Sequence, residues 1–446
     1  MGKHSDAVRL LLGRGPVTAR QLSEIIGISQ PTVSRVLAKL GDATLRLGSG
    51  RAIQYALRDP ARGLPEIPVH RVSDTGKLHL LGTLIPVRPE GFVMQHEDGK
   101  QGYSEGLPWW LLDMRPQGFL GRAYAARHAA RLGLPQGLAE WSDTHALRAL
   151  IAHGHDAIGN LLLGEEARNQ YLSHATTPIG LLEKTATYRR LAEEAARGDL
   201  PGSSAGGEQP KFTACAETPA GPRHVIVKFT STDDNPITER WRDLLLAEHL
   251  ALETLRDAGI PAVTTRLIDA GAQRFLEVER FDREGEAGRH GVFSLAALDA
   301  EFVGAGAAPW PSIVARLAAA RIVRPEATAT AALLYAFGTL IGNTDMHPGN
   351  LSFISDSGPP CALAPAYDML PMGFCPTSAG TLRDTLQPAR LIPEVDNGTW
   401  RQAEELAGQY LERVENCTEL SPRFDRCREA LALHLHDASR SISRLG

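Results

Sequence analysis

Hydrophobic positions in the first sixty residues fall into short helical runs followed by an alternating stretch. Val8, Leu10, Leu11 and Leu12 begin one helix; Thr18 is placed to cap a second that runs to Ile26 and closes at Gly27. Ser29 caps a third, Gln30 to Leu40, with Pro31 in its first turn. In that helix Val33, Val36, Leu37 and Leu40 share an inward face, which turns Gln30, Thr32, Ser34, Arg35 and Lys39 outward. From Ala43 to Leu57 the period changes to two around Gly48-Ser49-Gly50, predicting a hairpin that carries Arg46 and Arg51. Helix, glycine turn, helix is a helix-turn-helix pattern, and the hairpin would serve as its wing against phosphates.

Beyond the head, a run rich in proline and charge starts at Asp59 and predicts a linker at residues 61–75. Leu78 to Gln101, with turns at Pro89-Glu90-Gly91 and Glu97-Asp98-Gly99, predicts a small sheet, and Met114 to Leu134 predicts helix. Trp109 and Trp110 are read as packing residues. Arg223 to Phe229 is a β-branched strand, and Trp241 to Asp257 places Leu244, Leu245, Ala247, Leu250, Ala251 and Leu255 at helical spacing. Arg274 to Arg283 alternates and then runs into a polar turn. Ala327 to Ile341 is apolar but too short to span a bilayer, so it predicts a buried helix and no membrane partner.

Charge divides the chain in the same place. Residues 1–60 hold nine Lys/Arg against four Asp/Glu, about +5, while the remainder holds 38 basic against 48 acidic residues, about −10. A basic head on an acidic body points to nucleic acid at the head alone. The 446 residues suffice for a small domain and a two-lobed larger one. Five cysteines without a C-x-x-C pair give no zinc pattern, and with no secretory leader they predict reduced thiols in a cytoplasmic protein.

The chemistry concentrates in Gly342-Asn343-Thr344-Asp345-Met346-His347-Pro348-Gly349-Asn350. An Asp followed five residues later by an Asn is the spacing of a kinase catalytic loop, where the carboxylate handles the attacking hydroxyl's proton and the amide oxygen holds magnesium. Pro348 and Gly349 favour a loop there. Asp368, after Pro365-Ala366-Tyr367, supplies a second carboxylate for the metal. Lys228 ends its strand in the setting of a lysine that meets nucleotide phosphates, and Glu248 is placed to pair with it, with Glu239 and Asp243 as rivals. Glu279 to Phe281 stand where backbone groups would face an adenine edge. The stretch Gly202 to Lys211 contains Gly206 and Gly207, whose backbone can form an anion nest, and Lys211 adds a point charge; it lacks a Walker A pattern. His347 has no second His or Cys at ligand spacing and is read as orienting the loop.

Taken in order, S-S-A-G-G-E-Q-P-K, V-I-V-K, V-E-R-F-D-R, G-N-T-D-M-H-P-G-N and A-Y-D-M resemble HipA-type serine/threonine kinases of bacterial toxin-antitoxin systems, over roughly residues 76–446, and the preceding domain suggests the YjjJ-like subgroup. The resemblance implies an α+β protein: a winged helix-turn-helix at 1–60, a linker at 61–75, a HipA-like N-terminal subdomain and kinase N-lobe at 76–285, and a mainly helical C-lobe at 286–446. It implies ATP and magnesium as cofactors, Asp345 as the catalytic residue, Lys228, Glu279 and Phe281 on the nucleotide, and Asn350 and Asp368 on the metal. Ser204, seven residues before Lys211, falls on the family's autophosphorylated serine, with Ser203 as its neighbouring alternative. The substrate class implied is a protein such as an aminoacyl-tRNA synthetase. The head resembles winged helices of the MarR type and is expected to bind double-stranded DNA, replacing the separate antitoxin of other members. Two further readings are a small-molecule kinase, since aminoglycoside and choline kinases share D-x-H-x-x-N, and a transcription regulator that senses nucleotide without transferring phosphate. The hinge string and serine loop weigh against the first, and the intact Asp345, Asn350 and Asp368 against the second.

Overall fold

The computed structural model describes residues 3–48, 53–173, 177–197 and 209–445. The head comprises α1 (Lys3–Leu12), β1 (Val17–Thr18), α2 (Ala19–Ile26), α3 (Gln30–Leu40), β2 (Thr44–Leu47) and β3 (Gln54–Leu57), with strand order β1-β3-β2. Helix α2 starts at a capping box: the Thr18 hydroxyl accepts from Gln21 N at 3.2 Å, and the Gln21 amide oxygen accepts from Thr18 N at 2.9 Å. It stops at Gly27, whose φ of 72° is open to glycine at little cost. Val8, Leu12, Leu22, Val33, Leu37, Leu40 and Leu57 close one small core. Leu45 and Leu47 of the wing instead pack with Ala56, Ile85, Val87 and Val93, so the head is seated on the sheet that follows it.

That sheet contains β4 (Ile67–Val72), β5 (Leu78–Val87), β6 (Gly91–His96), β7 (Gln101–Ser104) and, after α4 (Gly118–Leu132) and α5 (Asp143–His153), β8 (Leu161–Leu163). The order is β7-β6-β5-β4-β8, all antiparallel, and α6 (Gly164–Ser173) follows. Strand β4 corrects the expected linker at 61–75: Ile67, Val69 and Val72 are fully buried. A register shift between Val69 and His70 breaks the period of two, and Pro68 sits within the strand, which is why the run looked like a linker.

A second sheet follows α7 (Lys184–Arg197): β9 (Lys211–Thr218), β10 (Gly221–Phe229), then α8 (Pro236–Asp257), β11 (Thr265–Ala270) and β12 (Gln273–Glu279), in the order β11-β12-β10-β9. Alternation along β10 puts Val225, Val227 and Phe229 in the core with Tyr188, Phe212 and Phe275, beneath α7. Ile226 and Lys228 therefore face the other way, into a cavity beside α8. Helix α8 is fixed at its first turns. Asn235 caps it, buried Arg240 donates to Phe374 O at 3.1 Å and to Asp384 at 2.6 Å, and Asp243 accepts from Ser421 N at 2.9 Å and Oγ at 2.6 Å.

The remainder is mostly helical: β13 (Arg283–Glu284), β14 (Gly288–Arg289), β15 (Val292–Ser294), α9 (Leu295–Phe302), α10 (Trp310–Ala319), α11 (Ala327–Leu340), β16 (Ser352–Ile354), β17 (Ala362–Leu363), α12 (Asn397–Asn416) and α13 (Asp425–Ile442). One continuous core joins Leu244, Leu245 and Leu252 of α8 to Ile313, Phe337 and Trp400, so the two lobes share their hydrophobic interior through that helix. Among the described residues no helix is long and apolar enough to cross a membrane.

Candidate active site

Lys228 is the centre of the site. It pairs with Lys211 on β9 and Leu276 on β12, so its strand is held from both sides. Its ammonium donates to both Glu248 oxygens, at 2.6 and 2.8 Å, and to Asp368 Oδ1. Of the three carboxylates that compete for this lysine in the sequence, Glu248 meets it. Asp243 is occupied by Ser421, and Glu239 pairs with Arg423 at 2.9 Å. Burial alone would lower the Lys228 pKa, but Asp368 and Glu248 outweigh it and hold the ammonium charged. Burial pushes Glu248 up to about 7 even with Lys228 beside it. Burial would also raise Asp368, yet Lys228 and Lys211 bring it below its usual value. Asp368 therefore stays an anion, as a hard-cation ligand must.

The loop after α11 is held by side chains that also hold one another. Gly342 has φ of 76°, and a Cβ there would come within 2.7 Å of Leu386 Cδ1, so any other residue would be strained and would push Leu386 aside. Buried Asn343 accepts from Asp345 N at 3.0 Å and donates to Asp368 O at 3.2 Å, tying the two carboxylate-bearing segments together. Asp368 adopts φ of 53°, a left-handed conformation that Asp tolerates better than most residues. Asn350 Nδ2 donates to Asp345 O at 2.8 Å, and Asn350 lies on the cavity wall. Tyr367 donates to Gly349 O at 2.9 Å, and His347 accepts from Gly349 N at 3.0 Å while its own carbonyl accepts from Trp310 Nε1 at 3.1 Å. His347 thus organises the turn. The Asp345 side chain is about half exposed (53%); burial and Asp368 raise its carboxyl while His347 and Asn350 oppose them.

Lys211, Lys228, Glu248, Glu279, Phe281, Asn350 and Asp368 line one cavity of about 410 Å³. Its charged end is the lysine-carboxylate cluster. Its other walls include Ile226, Val263, Val278 and Val292, and the Phe281 and Tyr367 rings lie 5.7 Å apart at its edge. The Glu279 amide is already given to Thr264 O and the Arg280 amide to His224 O, both at 2.9 Å. Sequence reasoning missed Asn343, Tyr367 and Asp113. Asp113 comes from the segment before α4, lines the same cavity, and accepts from Ser294 N at 2.6 Å and Oγ at 2.7 Å. Asn343 and Tyr367 stood inside the motifs as buried polar residues beside the key carboxylates; nothing local marked Asp113. Ser203, Ser204, Gly206, Gly207 and Arg51 lie outside the described residues.

On the head, Gln30, Ser34, Arg35 and Lys39 are exposed on one face of α3, and Arg46 is exposed on β2. Thr32 is half-buried, its hydroxyl 3.0 Å from Ser29 Oγ and accepting from Arg35 Nη2 at 3.3 Å. Arg35 is accordingly held near the helix start, and Thr32 is less available than its neighbours.

Residues 64–172 match the family model "YjjJ-like toxin, middle domain", residues 203–419 match "HipA-like C-terminal domain", and residues 5–45 match "Bacterial regulatory protein, arsR family". Toxin YjjJ of Escherichia coli (strain K12) is 40% identical over 445 residues, spanning 99% of this chain and 100% of that relative. The chain belongs to the YjjJ-type, HipA-like toxins. A chain of the complex titled Shewanella oneidensis MR-1 toxin antitoxin system HipA, HipB and its operator DNA shares the fold, with a TM-score of 0.55 at 16% identity over 85% of this chain and 97% of that one. The Helicobacter pylori proinflammatory kinase CtkA is more distant, with a TM-score of 0.37 at 12% identity over 53% of this chain and 90% of that one. For this YjjJ-type chain the head is a helix-turn-helix, as its sequence predicts, and the regulator family it matches is the arsR family. The β4–β8 sheet lies in the YjjJ middle domain, which explains why Asp113 had no counterpart in a kinase motif.

Proposed function

We propose that this YjjJ-type chain is an ATP- and magnesium-dependent serine/threonine protein kinase whose winged head binds double-stranded DNA. The observation behind this reading is Lys228 joined to both Glu248 and Asp368 across a cavity that also holds Asn350 and the Glu279–Phe281 edge. A lysine on a strand, paired with a helix carboxylate and facing a second carboxylate, is the arrangement that positions nucleotide phosphates in kinases. The donor set fits magnesium: Asn350 and Asp368, both on the cavity wall, would offer the oxygen ligands that a hard cation takes. Bound there, magnesium would offset the negative charge of the phosphates.

The reaction assigned to the chain follows from its own residues. Lys228 and Lys211 hold phosphate oxygens, the apolar walls take the adenine, and Asp345 accepts the proton of a protein serine or threonine hydroxyl. The hydroxyl oxygen bonds to the γ-phosphorus as the bond from that phosphorus to the β-γ bridging oxygen breaks, and ADP leaves with that oxygen. Ser204, or Ser203, is the proposed acceptor in autophosphorylation, and an aminoacyl-tRNA synthetase is the proposed class of target. A cytoplasmic setting, and a head that makes a separate antitoxin unnecessary, belong to the same proposal.

Asp368→Ala removes a metal ligand, so nucleotide affinity should lose most of its magnesium dependence while magnesium-free binding changes little. Calorimetric titration of ATP at several magnesium concentrations measures this, and a wild-type magnesium response would remove Asp368 from the metal site. For the head, Arg35→Ala and Lys39→Ala should each weaken duplex binding and lower the salt slope by about one for each phosphate that is no longer neutralised. Equal affinity and slope in the double variant would make α3 a surface for protein rather than DNA.

A further inference from the structure

A second cavity, of about 460 Å³, opens beside the first, and Arg280 lines both. Three buried arginines, Arg280, Arg283 and Arg289, meet two carboxylates there. Arg280 donates to Asp282 through Nε and Nη2, both at 2.9 Å, and to Asp156 at 2.9 Å; Arg283 donates to Asp282 at 2.7 Å and to Asp156 at 2.9 Å. These two guanidiniums are matched by the two acids.

Arg289 is not. It is only 6% exposed, and no carboxylate among the described residues lies within ion-pair distance of it. Its Nη2 donates to His155 O at 2.6 Å and its guanidinium lies 4.8 Å from the centre of the Tyr171 ring, but its Nη1 is buried with no hydrogen-bond partner. Burial and the neighbouring Arg283 depress its pKa to about 9 even though Asp156 and Asp282 attract it from beyond ion-pair distance, so two acids are shared among three arginines. Glu286 stands exposed at the rim, where its carbonyl lies 3.0 Å from His224 Nε2.

We propose that this cavity is a binding site for a phosphate-bearing anion, with Arg289 as its principal ligand. A phosphate group offers several acceptor oxygens to a guanidinium fork and the negative charge that the cluster lacks. The room beyond Arg289 exceeds what one phosphate fills, so a phosphorylated small molecule fits as well as the free ion.

The test is calorimetric titration of the full chain with inorganic phosphate at constant ionic strength, with acetate as the comparison. Because Lys211 and Lys228 could also take phosphate, the titration is repeated with Lys228→Met. The expected result is binding that survives Lys228→Met and weakens at least about tenfold in Arg289→Gln. Ala287→Glu, at an exposed position on the rim, brings a carboxylate to the entrance and should weaken phosphate binding without touching the buried cluster, so it answers the question even if Arg289→Gln does not fold. Absence of phosphate binding, loss of it only in Lys228→Met, equal affinity for acetate, or unchanged affinity in both Arg289→Gln and Ala287→Glu would each overturn the proposal.

Discussion

Asp282→Ala should cost this protein about 3 kcal/mol of folding stability, the lower end of the range for breaking a buried ion pair. Asp282 accepts from Arg280, from Arg283 and from Gly159 N at 3.0 Å, and its removal leaves two buried guanidiniums to share Asp156. The upper end is not expected, because Asp156 still faces both arginines and its side chain is about a third exposed (32%). Burial alone would raise the Asp282 carboxyl, but Arg280 and Arg283 outweigh it and hold it well below the usual carboxylate range. A group depressed in the folded state contributes fully above its unfolded pKa, roughly 4, and loses that contribution as the pH falls toward the folded value. The gap between wild type and variant should therefore hold from pH 7 to about pH 4 and narrow below it. Urea unfolding across that range measures it; a destabilisation under about 1 kcal/mol at pH 7 would show that the cluster does not brace the middle domain against the hinge.

Asp345→Asn should lower phosphoryl transfer by about 10²-fold or more with ATP affinity nearly unchanged. The two side chains have the same shape, and the Asn350 hydrogen bond to the Asp345 carbonyl stays in place, while the contact of Asn350 with the carboxyl is weakened. What disappears is the basic oxygen. Turnover and nucleotide affinity must be measured together, since a loss of affinity equal to the loss of rate would mean that the residue supports the nucleotide site instead.

Local rules carried well where they were local. Thr18 and Gly27 bound α2 through hydrogen bonds made within a few residues, so both were visible in the chain. The same holds for the run from Gly342 to Asn350, whose internal bonds shape the turn. Non-local choices were not visible. Glu248 was favoured from its mid-helix place with Glu239 and Asp243 as rivals, and it does meet Lys228; what occupies the rivals is Arg423 and Ser421, far along the chain and not visible from spacing. Strand β4 was hidden by a bulge and Pro68, and only its partners β5 and β8 make it a strand. Asp113 reaches the cavity from the middle domain through hydrogen bonds across 181 residues with Ser294, a distance that no motif spans. The head's packing through Leu45 and Leu47 onto β5 and β6 is of the same kind.

The Lys228, Glu248 and Asp368 cluster, acting with Asp345, is proposed to transfer phosphate to protein hydroxyls. The decisive measurement is incubation of the full chain with γ-labelled ATP, magnesium and a cell lysate, following label into phosphoserine and phosphothreonine. Label is expected on the chain itself and on at least one lysate protein, with both signals gone in Asp345→Asn that still binds ATP. Wild-type protein that binds ATP and magnesium yet leaves every protein unlabelled, or an Asp345→Asn variant that labels at the wild-type rate, would contradict that assignment.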